Sequence, residues 1–542
     1  MLIISTDPLT PAPPISHSVV QIVREVSLIY CLPDNPFFSR AAESEPGKGN
    51  AVQEATYAYI GYIYITHFCN RLGTAYEALK SILDESNPNH AGVLADLKKR
   101  FREETFTKTA ILEVIKTYPE LVRLLYTQFA MSHYPAGGDD AEQLVPTLSH
   151  QRLQEVNVFS DEELHNKLVK STRNQFELQV LESFMVFNKH VLKTNFYQPT
   201  KVALSFRLDG DFLPIQEYPQ KPYGVFFVVG SDFQGFHVRF KDVARGGIRI
   251  LRSRDAENYA TNQRMLFDEC FNLASTQSLK NKDIPEGGSK GVILPDLNAN
   301  PQLSFERYVD SIIDLLIPGS SPGIKEPIVD LLGKQEILFL GPDEGTAGFM
   351  DWAAFHARSR GAEWWKSFTT GKTAESLGGI PHDTYGMTSR SVRQYYVGIL
   401  DKLAMDEENT TKVQTGGPDG DLGSNEILLS KDKTVAIVDG SGVIYDPVGL
   451  NRDELTRLAT ARVMINQFDL KKLSKDGYRV LCEDKDIRLP SGEMVADGTQ
   501  FRNGYHLRVK AEVLIPCGGR PQAINISNVN QLFDAEGKPH FK

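Results

Sequence analysis

The chain has 542 residues, 41% of them hydrophobic, 24% charged and 10% aromatic, with a formal net charge of −10 from 59 Lys and Arg against 69 Asp and Glu. That usage fits a globular protein of two to four domains; it excludes whole-chain disorder, argues against a nucleic-acid partner, and holds no run of about 18 apolar residues that could span a membrane. Five cysteines with no CxxC pair, and no HExxH, exclude a disulfide scaffold and a zinc signature, so Cys31, Cys69, Cys270, Cys482 and Cys517 read as reduced packing residues.

Residues 1–14 have neither the basic start and apolar stretch of a secretory signal nor the arginines of a transit peptide, so cytoplasmic residence is expected, with mitochondria as the alternative. The first 195 residues read as a helical accessory region. Residues 51–83 carry an apolar-rich helical pattern, and a second helix is expected to start at a Ser160-x-x-Glu163 capping box and run through Val180, Phe184, Phe187 and Val191. Polar, Gly- and Pro-rich stretches at 43–49 and 134–140 read as loops. Near Pro199 the texture changes. Residues 201–208 (KVALSFRL), 223–229 (YGVFFVV) and 235–240 (GFHVRF) read as strands, 258–278 as a helix, 291–294 as an apolar strand, 305–317 as a helix and 336–340 as a strand. Strands alternating with helices indicate an α/β domain, assigned here to 196–385. After a Gly/Pro/Asp break at 378–386, a second series reads as helix 390–403, strand 411–415, a glycine-rich turn at 416–423, strand 434–438, helix 451–465 and strand 512–515, giving a third region at 386–542. Trp364-Trp365 reads as packing and His382 as a loop hydrogen-bonding group.

Two segments could carry chemistry. In the turn, Gly417, Gly420 and Gly423 recur every third residue between a strand and a helix start, which would let the backbone approach a pyrophosphate at a helix N-terminus. Asp439, 22 residues past Gly417 at the tip of the next strand, is placed to accept the ribose hydroxyls of NAD and to repel a 2′-phosphate. The spacing is one residue longer than the usual dinucleotide fingerprint, so an ordinary glycine-rich loop remains open on the residues alone. The second segment, residues 284–297 (IPEGGSKGVILPDL), is not a P-loop, but it sets Lys290 between glycines and an apolar strand. A lysine partly desolvated there would suit general acid/base work, whereas the plain alternative is an exposed turn lysine.

Residues 284–297 match, position by position, the active-site signature of the glutamate/leucine/phenylalanine/valine dehydrogenases. The runs VARGGIRI, LASTQSLKNKDIPEGGSKGVIL, EILFLGPDE, LGGIPHDTYGMTSRSVRQYY and KVQTGGPDGDLGSNEILLS, with others from about residue 20 to the end, resemble the large-subunit NAD-specific glutamate dehydrogenases of fungi and other eukaryotes. The resemblance implies an α/β fold with a mixed-sheet substrate domain and a Rossmann-like NAD domain. It implies Lys290 and Asp343 as the catalytic pair, Gln277 and Lys280 on the substrate α-carboxylate, and Arg245 on the γ-carboxylate, where the smaller glutamate enzymes have lysine. Thr388 falls where the family has a hydroxyl near the nicotinamide amide. The implied reaction is oxidative deamination of L-glutamate to 2-oxoglutarate and ammonia by a homo-oligomer; Arg245 disfavours a branched-chain or aromatic amino-acid substrate. After Gly386 three strands are read where a dinucleotide-binding domain needs about six. The NAD domain is therefore expected to be C-terminally incomplete, and the competing expectation is an inactive homologue acting through oligomer contacts.

Overall fold

The computed structural model describes residues 50–69, 78–79, 81–84, 87–100, 106–133 and 159–542, the last without 199–200, 216, 281, 283, 320–321, 325–326, 344 and 519–522. Residues 1–14, the loops at 43–49 and 134–140, and Cys31 lie outside the described residues. The chain forms two compact units, Met1–Thr370 and Gly371–Lys542.

The first unit opens with helices α1 (Asn50–Phe68), α2 (Pro88–Arg100), α3 (Lys108–Thr117), α4 (Pro119–Ser132), α5 (Asp161–Ser171) and α6 (Gln175–His190). The capping box forms as the sequence indicates, with Glu163 N–H donating to Ser160 Oγ and Ser160 N–H to the Glu163 carboxylate. The single helix expected from Ser160 to Val191 is instead two. The first ends at Ser171, and Asn174 caps a new start by accepting from Glu177 N–H at 2.9 Å. Val180, Phe184 and Phe187 share the buried face of α6, and Val191 begins a strand.

That strand enters an eight-stranded mixed sheet: β1 (Val191–Thr194), β2 (Ala203–Leu208), β3 (Gly224–Gly230), β4 (Phe233–Arg239), β5 (Ala244–Ile250), β6 (Gly287–Pro295), β7 (Val329–Asp330) and β8 (Leu340–Pro342), in the order β7-β1-β2-β3-β4-β6-β5-β8. Pairing is antiparallel from β7 to β6 and parallel across β6-β5-β8. Both faces of β3, β4 and β6 are buried, which explains the continuous apolar run of β3 and takes Gln234, His237, Arg239 and Lys290 out of water on its neighbours. Phe227, Phe236, Val238, Val292 and Leu294 point into one core, shared with α1, α3, α4, α6 and α7 (Ala256–Ser278). Phe226, Val228 and Ile293 point into the other, against α8 (Pro301–Leu316) and α9 (Met350–Ser359), where Trp364 and Trp365 also pack. The strand expected at 336–340 begins only at Leu340. Glu336 is turned inward and lies 2.9 Å from the Arg207 guanidinium and 3.5 Å from that of Arg239, so this segment follows the ion pairs instead of a ladder.

His237 on β4 is fully buried, and neither ring nitrogen has a hydrogen-bond partner among the described residues. Burial, and secondarily the charge of Arg239, pull it down to about 3. The unfolded chain takes up this proton near pH 6.5 and the folded chain does not, so stability is full above 6.5 and falls as pH drops toward 3. The slope is about 1.4 kcal/mol per pH unit, or about 3 kcal/mol between pH 6.5 and 4. We expect His237→Leu to flatten the pH dependence of urea unfolding in that window; an unchanged slope would remove His237 as its source.

The second unit contains α10 (Ala374–Leu377), α11 (Met387–Lys402), β9 (Thr411–Thr415), α12 (Asp421–Leu429), β10 (Lys433–Val438), β11 (Gly442–Tyr445), α13 (Arg452–Ala461), β12 (Tyr478–Leu481), β13 (Lys485–Arg488), β14 (Met494–Asp497), α14 (Gly498–Arg508) and β15 (Val513–Pro516). Its main sheet runs β12-β11-β10-β9-β15, and β13-β14 form a separate hairpin. The three strands read from sequence are the parallel trio β10-β9-β15; the four that were not read pair antiparallel. The helix expected over 451–465 stops at Ala461 because Arg462 takes a left-handed backbone (φ 52°), from which its guanidinium reaches Asp383 at 2.7 Å and Asp421 at 2.9 Å.

Candidate functional site

Alternation along β5 puts Arg245, Gly247 and Arg249 on one face. The register sets Gly247 beside Gly341 on β8, so Asp343 just beyond that strand reaches back over β5. Lys290 comes from β6 on the other side of β5 and donates to Asp343 Oδ2. A Cβ on Gly247 would lie in ordinary contact, 3.5 Å from Lys290 Nζ and 3.4 Å from Asp343 Cβ, so the pair meets directly over this residue. Lys290 is 6% exposed and Asp343 20%. Arg249 Nε lies 3.4 Å from the same Asp343 oxygen, and its Nη1 lies 3.1 Å from Glu269.

The adjacent glycines of the 284–297 segment do a different job. A Cβ on Gly288 would lie 2.1 Å from Ala274 O and 2.3 Å from Ser278 N, so only glycine lets the last turn of α7 close onto β6. Gly288 N–H donates to Ser278 Oγ at 2.9 Å and fixes that approach. Gln277 sits in that turn, half-buried, and its carbonyl accepts from Lys280 N–H at 3.4 Å. Partial burial, then the charges of Lys290, Lys282 and Arg245, hold Lys280 below the ordinary lysine value, with Asp343 opposing. Arg245 Nε lies 2.7 Å from Glu286, which Lys282 also approaches at 3.2 Å. Lys280, Lys290, Asp343 and Arg245 thus lie near enough to act on one another's charge, while Gln277 is placed beside Lys280 through its backbone. With Arg249, Lys282, Glu269 and Glu286 the grouping carries five cations against three carboxylates among the described residues, an excess suited to a dianion.

Arg249, Lys282, Glu269 and Glu286 are absent from the sequence reading. Arg249 was accessible, since strand alternation from Arg245 points to it. Glu286 occupies a free position of the signature and gives no local signal.

In the second unit the chain leaves β9 toward β10 on one side, while β15 lies on the other, so the turn after β9 sits at a topological switch point where α/β sheets bind ligands. Gly416 there is left-handed (φ 92°), and a Cβ on Gly423 in the first turn of α12 would lie 2.1 Å from Gly417 O. A Cβ on Gly417 would lie 2.5 Å from that of Asp439. Gly420 precedes α12 with no side-chain cap, leaving the helix's first N–H groups to a ligand. The glycines leave room at the helix start for a phosphate, with the carboxylates of Asp419 and Asp439 beside Gly417. Thr388 is exposed in the first turn of α11.

Asp439 stands at the tip of β10, beside Gly417. It is 2% exposed, and its Oδ1 accepts from Ser441 N–H (2.8 Å), Ser441 Oγ (2.7 Å) and Gly442 N–H (3.3 Å), its Oδ2 from Ile465 N–H (2.8 Å). Oδ1 thus closes the β10–β11 turn, while Oδ2, with the single donor Ile465 N–H, faces Gly417 in the glycine-rich turn. Asp439→Ala is expected to cost about 2–4 kcal/mol in urea unfolding, because buried N–H groups lose their acceptor. A loss under about 0.5 kcal/mol would return Asp439 to the ligand.

Three comparisons bear on this geometry. Residues 378–538 match the family model described as Glutamate/Leucine/Phenylalanine/Valine dehydrogenase, and residues 1–43 match NAD-specific glutamate dehydrogenase, second domain. The chain is 55% identical to the NAD-specific glutamate dehydrogenase of Neurospora crassa, over 96% of this chain and 49% of that protein. It is 50% identical to the probable NAD-specific glutamate dehydrogenase of Schizosaccharomyces pombe, over 96% of this chain and 47% of that protein. The chain thus spans about half the length of the curated relatives it matches. Among solved structures, a hetero-hexameric glutamate dehydrogenase from Thermus thermophilus aligns at 20% identity and a TM-score of 0.35, over 55% of this chain and 60% of that one.

Proposed function

We propose, from the premise that this chain belongs to the NAD-specific glutamate dehydrogenases of the glutamate/leucine/phenylalanine/valine dehydrogenase family, that it oxidatively deaminates L-glutamate to 2-oxoglutarate and ammonia with NAD+ as hydride acceptor. The observation that carries this is the Lys290–Asp343 contact within a group of charges that suits a dianion. The first unit takes the substrate and the second the cofactor. Gln277 and Lys280 hold the α-carboxylate, and Arg245 holds the γ-carboxylate through its planar fork. Two anchored ends fix which face of Cα is presented, an orientation effect on the barrier. Asp343 moves the amine proton, while Lys290 polarises the developing carbonyl and assists water addition to the iminium. NAD, when bound, supplies the hydride acceptor. Gly417, Gly420, Gly423 and Thr388 would hold it, with Asp439 supporting the cradle from behind.

A homo-oligomer belongs to the same reading. The stripe Val392, Tyr395, Ile399 and Leu403 along α11 is between 50% and 77% exposed, which supports an association surface. Cytoplasmic residence is part of the proposal; no described helix is long and apolar enough to cross a membrane. The test is steady-state NADH formation from glutamate and NAD+ by this chain. Saturable turnover with glutamate favoured over leucine and phenylalanine is expected, and none at any cofactor concentration would overturn the reading.

A further inference from the structure

We propose that Glu286 is a positioning residue for dicarboxylate recognition: its carboxylate fixes the Arg245 guanidinium in the orientation that receives the substrate's distal carboxylate. This rests on the reading of Arg245 as the γ-carboxylate partner. Glu286 lies just before β6, and the pairing of Ala244 with Gly287 brings it beside Arg245 on β5. Its side chain is only 6% exposed, while that of Arg245 is 47% exposed. A buried carboxylate needs cations, and it has two. They are not equivalent. Lys282 is 9% exposed and also donates to Gly287 O at 3.2 Å, so it is tied into its own loop. Arg245 is the partner that reaches solvent.

The closest approach of Glu286 is to Arg245 Nε, at 2.7 Å. The contact is an ion pair without hydrogen-bond geometry, so Glu286 holds the guanidinium on the β6 side by charge and leaves the five N–H donors of its plane for a second carboxylate. An arginine so held loses less freedom when the ligand arrives, and affinity rises because the site is preorganised. An ion pair that merely stabilised the fold would not distinguish one ligand from another.

The measurement is calorimetric titration of the full chain with 2-oxoglutarate and with 2-oxopentanoate, which has a methyl in place of the distal carboxylate. Glu286→Gln is expected to weaken 2-oxoglutarate about tenfold and to leave 2-oxopentanoate within about twofold. Arg245→Leu should erase the preference for the dicarboxylate, and Glu286→Gln should add nothing in that background. Glu286→Asp, which keeps the charge but withdraws it by one methylene, covers the case in which the glutamine variant does not fold, and the same selective loss is expected. Equal weakening of both ligands, or of neither, by the folded Glu286 variant overturns the proposal while Arg245 keeps its role. A preference that survives Arg245→Leu, or no binding of 2-oxoglutarate by the unmodified chain, overturns the Arg245 reading instead.

Discussion

Lys290→Ala is expected to lower the turnover of glutamate by at least about 10³-fold while the chain stays folded and NAD binding is largely retained. The size follows from the role proposed for the side chain. General acid/base assistance is worth about 10²–10⁴-fold, and the same ammonium contributes to polarising the carbonyl, so the loss belongs at the upper end of that range. The fold should survive because Asp343 is not left isolated: Arg249 remains 3.4 Å from the oxygen that Lys290 occupied, and Asp343 is 20% exposed to water. The penalty in urea unfolding is therefore expected to be about 1–2 kcal/mol, less than that of breaking a sealed ion pair. NAD binding is retained because the cradle at Gly417, Gly420 and Gly423 belongs to the other compact unit. The check is NADH formation together with the circular dichroism spectrum and an NAD titration. A folded variant within tenfold of the unmodified chain would take Lys290 out of the chemistry.

The parts of this molecule that could be read from sequence are those whose signal is local. The β3 run is apolar on both faces because both faces are buried, and the capping box at Ser160 is complete within four residues. β5 was quoted as a motif and not as a strand, since Ala-Arg-Gly-Gly-Ile-Arg-Ile has neither apolar alternation nor strand propensity at its centre. It is held by its neighbours: a Cβ on Gly246 would lie 1.5 Å from Ser289 O, so the close pairing with β6 exists only because the residue is glycine. The antiparallel strands β11, β12, β13 and β14 are four residues each, too short for a period to show. For the candidate site, the signature at 284–297 points to Lys290, and the wider resemblance points to Asp343, Arg245, Gln277 and Lys280. It could not show that Asp439 Oδ1 closes its own turn, nor that Glu286 stands behind Arg245, because both facts depend on which groups the fold brings together.

Arg245→Leu is expected to lower kcat/KM for glutamate by about 10³-fold or more and to change that for norvaline, which has a methyl in place of the γ-carboxylate, by less than about tenfold. Two effects add on the glutamate side. The γ-carboxylate loses a charge-assisted, planar partner, and it must then be desolvated against an isobutyl group. Removing one member of a buried charge pair costs about 2–5 kcal/mol, and about 4 kcal/mol corresponds to a factor near 10³. On the norvaline side the substitution exchanges an unused cation for an apolar contact, so the two substrates diverge. The leucine also leaves Glu286 with Lys282 alone, 3.2 Å away, which keeps that carboxylate paired and the loop in place. The selectivity change can therefore be read in a folded protein. A glutamate-to-norvaline ratio unchanged by Arg245→Leu would mean that the dicarboxylate is selected elsewhere, and the half-exposed guanidinium of β5 would then be only the outer member of an ion pair with Glu286.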